Sequence, residues 1–181
     1  MEWSPVDYYR LSVENRGRRA ALGCRVQIVG LTFVQHGVWR HYENWEPITL
    51  IWSHRPQEPE ATISPSETAF CDVGHVFSNL FQSNRIRPTQ HRVLGDRHVD
   101  GRPARFFLDG RGMPNNQPSA LASGDYHFIC KLLSADYATQ EFGLRLASMG
   151  QFASILRSIP EGTRFETVVR VPEDKTLYKP E

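Results

Sequence analysis

The chain of 181 residues lacks long apolar runs, and only 3 of its 21 basic residues are lysines. Its apolar stretches, such as residues 48–52, fall far below the roughly 20 residues that a membrane-spanning helix needs. The first ten residues, MEWSPVDYYR, have no apolar core of the kind that a secretory signal carries. We therefore expect no membrane span and a cytoplasmic location.

Cysteine is also scarce, which excludes a disulfide framework. Cys24, Cys71 and Cys130 are an odd number and form no C-x-x-C pair. Each falls in the apolar phase of a predicted strand, so the pattern favours buried, reduced thiols that pack as small hydrophobic groups. One disulfide and a reactive thiol are the alternatives.

Catalytic and phosphate-binding motifs are missing. There is no G-x-S-x-G, no G-x-x-x-x-G-K-[ST] and no G-x-G-x-x-G. Cys71, Asp72 and His75 are close in sequence, but zinc ligands must converge on one point. In a straight strand Cys71 and His75 share a face about 13 Å apart, and only a bulge near Gly74 would bring them together. We expect no metal site, no cofactor and no enzymatic activity, with a metal protein or enzyme as the weakest alternative.

Charge is balanced overall but not locally. The net charge of +1 gives no field that would attract polyanions, which argues against a nucleic-acid partner. Residues 85–111, however, hold seven arginines against three aspartates. Such a segment can bind carboxylates or phosphates through bidentate guanidinium pairs, although a solvated insertion has the same composition. The candidate binding residues here are Arg85, Arg87, Arg92, Arg97, Arg102 and Arg105.

What the sequence does contain is strand patterning. Apolar and polar residues alternate along several short segments that are separated by turn residues. The first turn, Asn15–Gly23, carries Arg16, Arg18 and Arg19, for which a solvated connection and a functional cluster are both open. The strand that contains Gly74 is predicted to be weakened or bulged near that residue. Residues 78–123 are irregular, with one convincing strand at Arg105–Leu108.

The pattern changes near the C-terminus. Phe152, Ile155, Leu156 and Ile159 recur at helical spacing, which predicts a short amphipathic helix ended by Pro160. Residues 164–171 return to strand alternation, and residues 173–181 are predicted to be a frayed tail.

Many short strands predict an antiparallel β-sandwich, and one local feature makes this more specific. The sequence from Leu121 to Tyr126 resembles the tyrosine corner of Greek-key sandwiches, in which the hydroxyl bonds to backbone a few residues upstream. Gly124 precedes that tyrosine by two residues.

Three short motifs carry a wider resemblance: Val13-Glu14-Asn15-Arg16-Gly17, Ser64-Pro65-Ser66-Glu67, and Gly124-Asp125-Tyr126 with the strands that run on to Leu146. Over about residues 8–147 the chain resembles bacterial immunoglobulin-like modules of the CARDB type. The resemblance implies an immunoglobulin-like sandwich in which Asn15, Gly17, Gly124 and Tyr126 are structural, and it implies no activity.

The expected organisation is a single domain over residues 1–181. It has a core sandwich at 8–147, an irregular insertion at 78–123, and a helix, strand and tail at 148–181.

One loop combines aromatic and basic side chains. The loop over 33–47 contains Trp39, Arg40, Tyr42 and Trp45, the residue types that binding hot spots use. The alternative is that the tryptophans fold back and cap the sandwich. We expect a non-enzymatic interaction module that binds a protein partner through its loops. A ligand-binding module for a carbohydrate or an anionic small molecule is the alternative, and a homo-oligomer is left open.

Overall fold

The computed structural model describes residues 4–77, 93–94, 106–114, 117–148, 154–159 and 174–178. These residues form fourteen strands and no helix. The strands are β1 (Ser4–Glu14), β2 (Ala21–Gln35), β3 (Val38–His41), β4 (Ile48–Trp52), β5 (Ala61–Ile63), β6 (Thr68–Phe77), β7 (Val93–Leu94), β8 (Phe106–Leu108), β9 (Gly110–Arg111), β10 (Ala120–Leu121), β11 (Gly124–Leu133), β12 (Gln140–Ser148), β13 (Ser154–Ile159) and β14 (Asp174–Tyr178).

The fold is all-β and antiparallel, as the sequence predicts, apart from the parallel pair β7–β10. The strands follow the order β13-β12-β11-β2-β4-β6-β8-β10-β7, and β1 joins β6 to β14. Apolar side chains of β1, β6 and β8 share one buried cluster with those of β2, β11 and β12. This arrangement is consistent with a β-sandwich, in which two layers bury their apolar faces against each other.

Strand β2 is the longest element and carries a bulge. It pairs with β11 along most of its length, but Ile129 lies opposite Gly30 while Cys130 lies opposite Ile28. Val29 is therefore the extra residue. The bulge shifts the alternation, so the buried residues change from Val26 and Ile28 before it to Leu31 after it.

Strand β6 carries the bulge that the sequence predicts near Gly74. Tyr9 pairs with Gly74 and Arg10 with Asp72, which leaves Val73 unpaired on the β1 side. A metal site would need the side chains of Cys71 and His75 close together, and the extra residue separates them. It places Cys71 in the core and His75 on the outer face beside Tyr8, so the two side chains are on opposite sides of the sheet.

The C-terminal helix prediction is wrong where the structure describes the segment. Residues Ser154–Ile159 form strand β13, paired to β12 with Leu146 opposite Leu156. A six-residue segment with adjacent apolar residues fits both the helical and the strand periodicity. The edge of β12 supplies the hydrogen-bond partners that make it a strand. Phe152 and the strand predicted over 164–171 lie outside the described residues.

The predicted frayed tail is also corrected in part. Asp174–Tyr178 forms β14, which pairs with Ser4–Tyr8 of β1. The first strand thus has neighbours on both sides, β6 and β14.

The insertion over 78–123 contributes to the core. The predicted strand at its centre is present as Phe106–Leu108, and all three of its side chains are buried. Leu121 of β10 belongs to the same apolar cluster as Phe106 and Leu108. Part of the segment expected to be irregular is therefore integral to the fold.

A substitution at Gly74 tests the packing at the β6 bulge. A Cβ atom there would overlap the ring of Phe106 and the backbone oxygen of Phe107. We expect Gly74→Ala to lower the free energy of unfolding by about 1–3 kcal/mol, since the backbone of a buried strand must shift. Chemical denaturation measures it.

Gly30→Ala is the matched control, because it also lies beside a bulge. Its Cβ would meet only the side chain of Ile129, and the nearest atom is the terminal Cδ1 at 3.2 Å. We expect a loss below about 1 kcal/mol. Equal losses at the two glycines would contradict this account of the β6 bulge.

Candidate functional site

Strand β2 defines two ends of the molecule. At its start, the β1–β2 turn lies with Ser134 and Asp136 of the β11–β12 turn, which bond to Leu22. We call this the Asn15 end. At the other end β2 continues past β11 and turns back as β3. We call this the hairpin end.

The tyrosine corner lies at the hairpin end. The hydroxyl of Tyr126 donates a hydrogen bond to the backbone oxygen of Ala122, at 2.9 Å. Tyr126 is fully buried, and Gly124 lies beside its ring. This is the geometry that the sequence resemblance implies for this corner.

The loop predicted over 33–47 is partly a β-hairpin. Strands β2 and β3 are joined by His36 and Gly37, which have φ values of 52° and 75°. Two positive φ values in a two-residue connection define a type I′ turn, which matches the twist of the paired strands. The sequence analysis missed this hairpin, and Gly37 between two short alternating runs is the signal that could have found it.

Two of the four aromatic-loop candidates are exposed. Trp39 is 50 % exposed, its neighbour Val38 is 58 % exposed, and Arg40 is also on the surface. Every residue of β3 is exposed. Trp39 lies opposite Val34 of β2, so two apolar side chains are side by side on one face of the hairpin.

The other two candidates are packed against the core. Trp45 donates its indole N–H to the backbone oxygen of Ile28 at 3.0 Å, and it meets Tyr42 edge to face with ring centres 5.6 Å apart. Both rings lie against the apolar cluster. Trp39 and Arg40 are therefore accessible to a partner. Tyr42 and Trp45 instead fix the loop to the core.

Gln117 fixes the same loop and gave no signal in the sequence. Its buried side-chain amide donates to the backbone oxygen of Glu46 at 3.0 Å and accepts from the backbone N–H of Glu46. The Gln117 side chain thus bonds to both backbone groups of Glu46, as the backbone of a neighbouring strand would.

The outer edge of β3 is open within the part of the chain that the structure describes. Tyr42 donates its backbone N–H to the backbone oxygen of Leu31. Because hydrogen-bonded and non-hydrogen-bonded pairs alternate along two antiparallel strands, the next pair, His41 and Thr32, is not hydrogen-bonded. The N–H and C=O groups of Trp39 and His41 therefore point away from β2. A second strand could bond to them.

The arginine-rich candidates are not brought into any described site. Arg85, Arg87, Arg92, Arg97, Arg102 and Arg105 lie outside the described residues. Arg111, which ends the same basic run, donates to the backbone oxygen of Pro56 at 2.6 Å.

At the Asn15 end a single buried side chain joins two turns. The amide of Asn15 donates to the backbone oxygens of Arg19 and Ile63, both at 2.8 Å, and accepts from the N–H of Gly17 at 2.9 Å. Its own backbone bonds to Glu67 and Ser66.

Gly17 is required beside this amide. A Cβ atom at Gly17 would approach the hydroxyl of Tyr137 to 2.7 Å. That hydroxyl donates to the backbone oxygen of Arg19, so it is held in place. Both residues that the resemblance marks as structural, Asn15 and Gly17, therefore have a contact that depends on residue type.

The cysteines and the histidines that the structure describes lie apart from one another. All three cysteines are buried and unpaired by disulfides, and desolvation raises the pKa of Cys71 and Cys130 far above the ordinary thiol value. His75 contacts Asp109 at 2.9 Å and stacks on Phe107.

Neither metal-ligand geometry nor a membrane helix is present in the described part of the chain. No group of three or more His, Cys, Asp or Glu side chains there could hold a metal ion. Likewise, none of the described residues belongs to a helix long and apolar enough to cross a membrane.

Comparison with protein-family models, with curated proteins and with solved structures gave no match.

The two tryptophans at the hairpin end provide a first test. We expect Trp45→Ala to lower the free energy of unfolding by about 3 kcal/mol, because it removes packing and the bond to Ile28. Trp39→Ala is its matched control and should change stability by less than about 0.5 kcal/mol. Urea unfolding measures both. Equal losses would show that Trp39 also belongs to the core.

A second test concerns the Asn15 amide. Asn15→Asp keeps the shape but replaces two donors with an anion that faces two carbonyl oxygens. We expect a loss of about 3 kcal/mol at neutral pH. The folded state raises the pKa of the new carboxyl, so the loss should shrink as pH falls through that raised value.

Asn44→Asp is the control for this test, since Asn44 lies in an exposed turn at φ 57°, which Asp tolerates. Urea unfolding between pH 4 and pH 8 measures both variants. A pH-independent loss for Asn15→Asp would show that the two donated bonds are not what the residue contributes.

Proposed function

We propose that the protein is a non-enzymatic interaction module that binds an extended segment of a protein partner along β3. The observation that carries the proposal is the hairpin itself. It presents an exposed tryptophan, Trp39, whose backbone groups point outward together with those of His41.

The chemistry of such an edge suits a peptide strand. An added strand gains affinity from main-chain hydrogen bonds and specificity from side-chain contacts on alternate residues. Trp39 and Val34 supply the apolar contact, and tryptophan is enriched among residues that dominate binding energy.

The charge on β3 favours a different chain over a second copy. If two β3 strands paired antiparallel through both outward residues, Trp39 would lie opposite His41 and Arg40 opposite Arg40. Like charges directly opposite each other destabilise a strand pair. The same arginine favours an acidic residue on the partner strand.

The wider class that we propose is an immunoglobulin-like module resembling the CARDB type. The bond from Tyr126 to Ala122 and the network of Asn15 support it. In such a module the sandwich is a rigid frame and its connections carry the binding residues.

A photo-crosslinking amino acid in place of Val38 tests the proposal in the native host. We expect one discrete protein adduct from this position. The same amino acid in place of Leu22, which is 46 % exposed at the opposite end, should give no such adduct. Mass spectrometry identifies the adduct.

Two further variants then separate edge pairing from general stickiness. His41→Pro removes an outward N–H without breaking a bond to β2, which an edge strand tolerates. We expect both His41→Pro and Trp39→Ala to reduce the adduct more than tenfold, with unchanged thermal unfolding. Adduct that persists in both variants, or that forms equally at Leu22, would overturn the proposal.

A further inference from the structure

A cavity of about 340 Å³ opens at the Asn15 end, between the ends of the two layers. Residues of strands β1, β2, β5, β11 and β12 line it, together with the β1–β2 and β11–β12 turns. Several of the residues that line it are small: Gly17, Ala21, Cys24 and Ala138. Its volume falls in the range of about 300–1,000 Å³ that is typical of small-molecule sites.

The floor of the cavity is apolar and uncharged. Val13, Ile63 and Leu132 line it together with Cys24, which is only 2 % exposed. Burial raises the pKa of the Cys24 thiol, so the sulfur stays protonated at neutral pH. A hydrocarbon group placed here would leave water for aliphatic and thiol contacts, which is favourable in proportion to the area buried.

The mouth of the cavity carries one arginine and one carboxylate. Arg16 lines it with a side chain that is 85 % exposed, and its Nε donates to Glu14 at 2.9 Å. Among the described residues no other side chain accepts a hydrogen bond from this guanidinium, so its remaining N–H groups can donate to a ligand. Arg18 and Arg19 follow in the same turn but do not line the cavity.

The amide of Asn15 cannot serve the ligand, because both of its protons and its oxygen are already bonded within the turns. Instead, the Asn15 side chain fixes the backbone of the turn that carries Arg16. The hydroxyl of Tyr137 donates its one proton to Arg19, so it has none left for a carboxylate at the rim.

We propose that this cavity binds a small carboxylate with an unbranched apolar body, the body between the layers and the carboxylate at Arg16. The site lies at the opposite end from β3. The inference is therefore independent of the partner proposed there.

A series of straight-chain carboxylates from four to ten carbons tests the cavity by isothermal titration calorimetry. We expect affinity to rise about fourfold for each added methylene until the cavity is full, and then to level off. Primary alcohols of the same lengths should bind more weakly, and primary amines more weakly still, because the guanidinium of Arg16 attracts an anion and repels a cation.

Two variants of one turn test where the body lies. Ala138→Trp fills the mouth, and we expect it to weaken octanoate at least tenfold. Thr139→Trp is the matched control on the next residue, which does not line the cavity, and it should change affinity by less than twofold. Thermal unfolding checks that both variants are folded.

Three charge variants test where the carboxylate lies. Arg16→Gln should weaken octanoate about three- to tenfold, as expected for an exposed ion pair. Glu14→Gln should strengthen it, because a competing anion is removed. Arg18→Gln is the control in the same turn and should have the smallest effect.

The opposite signs at Glu14 and Arg16 are the decisive result, since loss of folding cannot produce them. The proposal would be overturned by no measurable binding of octanoate at millimolar concentration. Affinity that does not depend on chain length, or equal effects of Ala138→Trp and Thr139→Trp, would also overturn it. None of these outcomes bears on the β3 edge.

Discussion

The buried amide of Asn15 is the interaction on which the arrangement of the chain at this end of the fold depends. The chain crosses here from one group of paired strands to another in two connections, from β1 to β2 and from β5 to β6. Asn15 lies in the first crossing and donates to Ile63, which ends β5 just before the second. Its backbone bonds to Ser66 and Glu67 inside that second crossing. One side chain with two donors and one acceptor therefore fixes both crossings, and no other residue type of that size offers the same set.

Two single-residue bulges then decide which side chains each layer shows to the core and which to solvent. Val29 shifts the phase of β2, and Val73 shifts the phase of β6. Because side chains alternate with a period of two, one extra residue exchanges the faces of everything beyond it. Cys71 is therefore in the core and His75 on the outer face, where it contacts Asp109. The close sequence spacing of thiol, carboxylate and imidazole therefore does not bring Cys71 and His75 together.

The sequence predicted what depends on local pattern and failed where a distant partner decides. Strand alternation, the bulge near Gly74 and the all-β class follow from neighbouring residues, and the structure has them. The segment Ser154–Ile159 fits both a helix and a strand, and only the edge of β12 makes it a strand. Trp39 and Trp45 are the same residue type in the same segment, so the sequence alone does not tell the exposed one from the packed one. What separates them is the backbone oxygen of Ile28, 17 positions before Trp45 in the chain.

The length of β2 separates the two surfaces that the fold makes available. Cys24 faces the cavity and Val34 pairs with Trp39, and ten strand steps between them span about 30 Å. Residues that far apart with no shared partner contribute to stability and binding almost additively. Between them lie the bulge at Val29 and the bond from Trp45 to Ile28, which hold the middle of β2 against its neighbours. A substitution at one end that changes binding at the other must therefore act through the register of β2 itself. The bulge makes that register hard to shift, since a slip of one residue would expose the buried face on both sides of it.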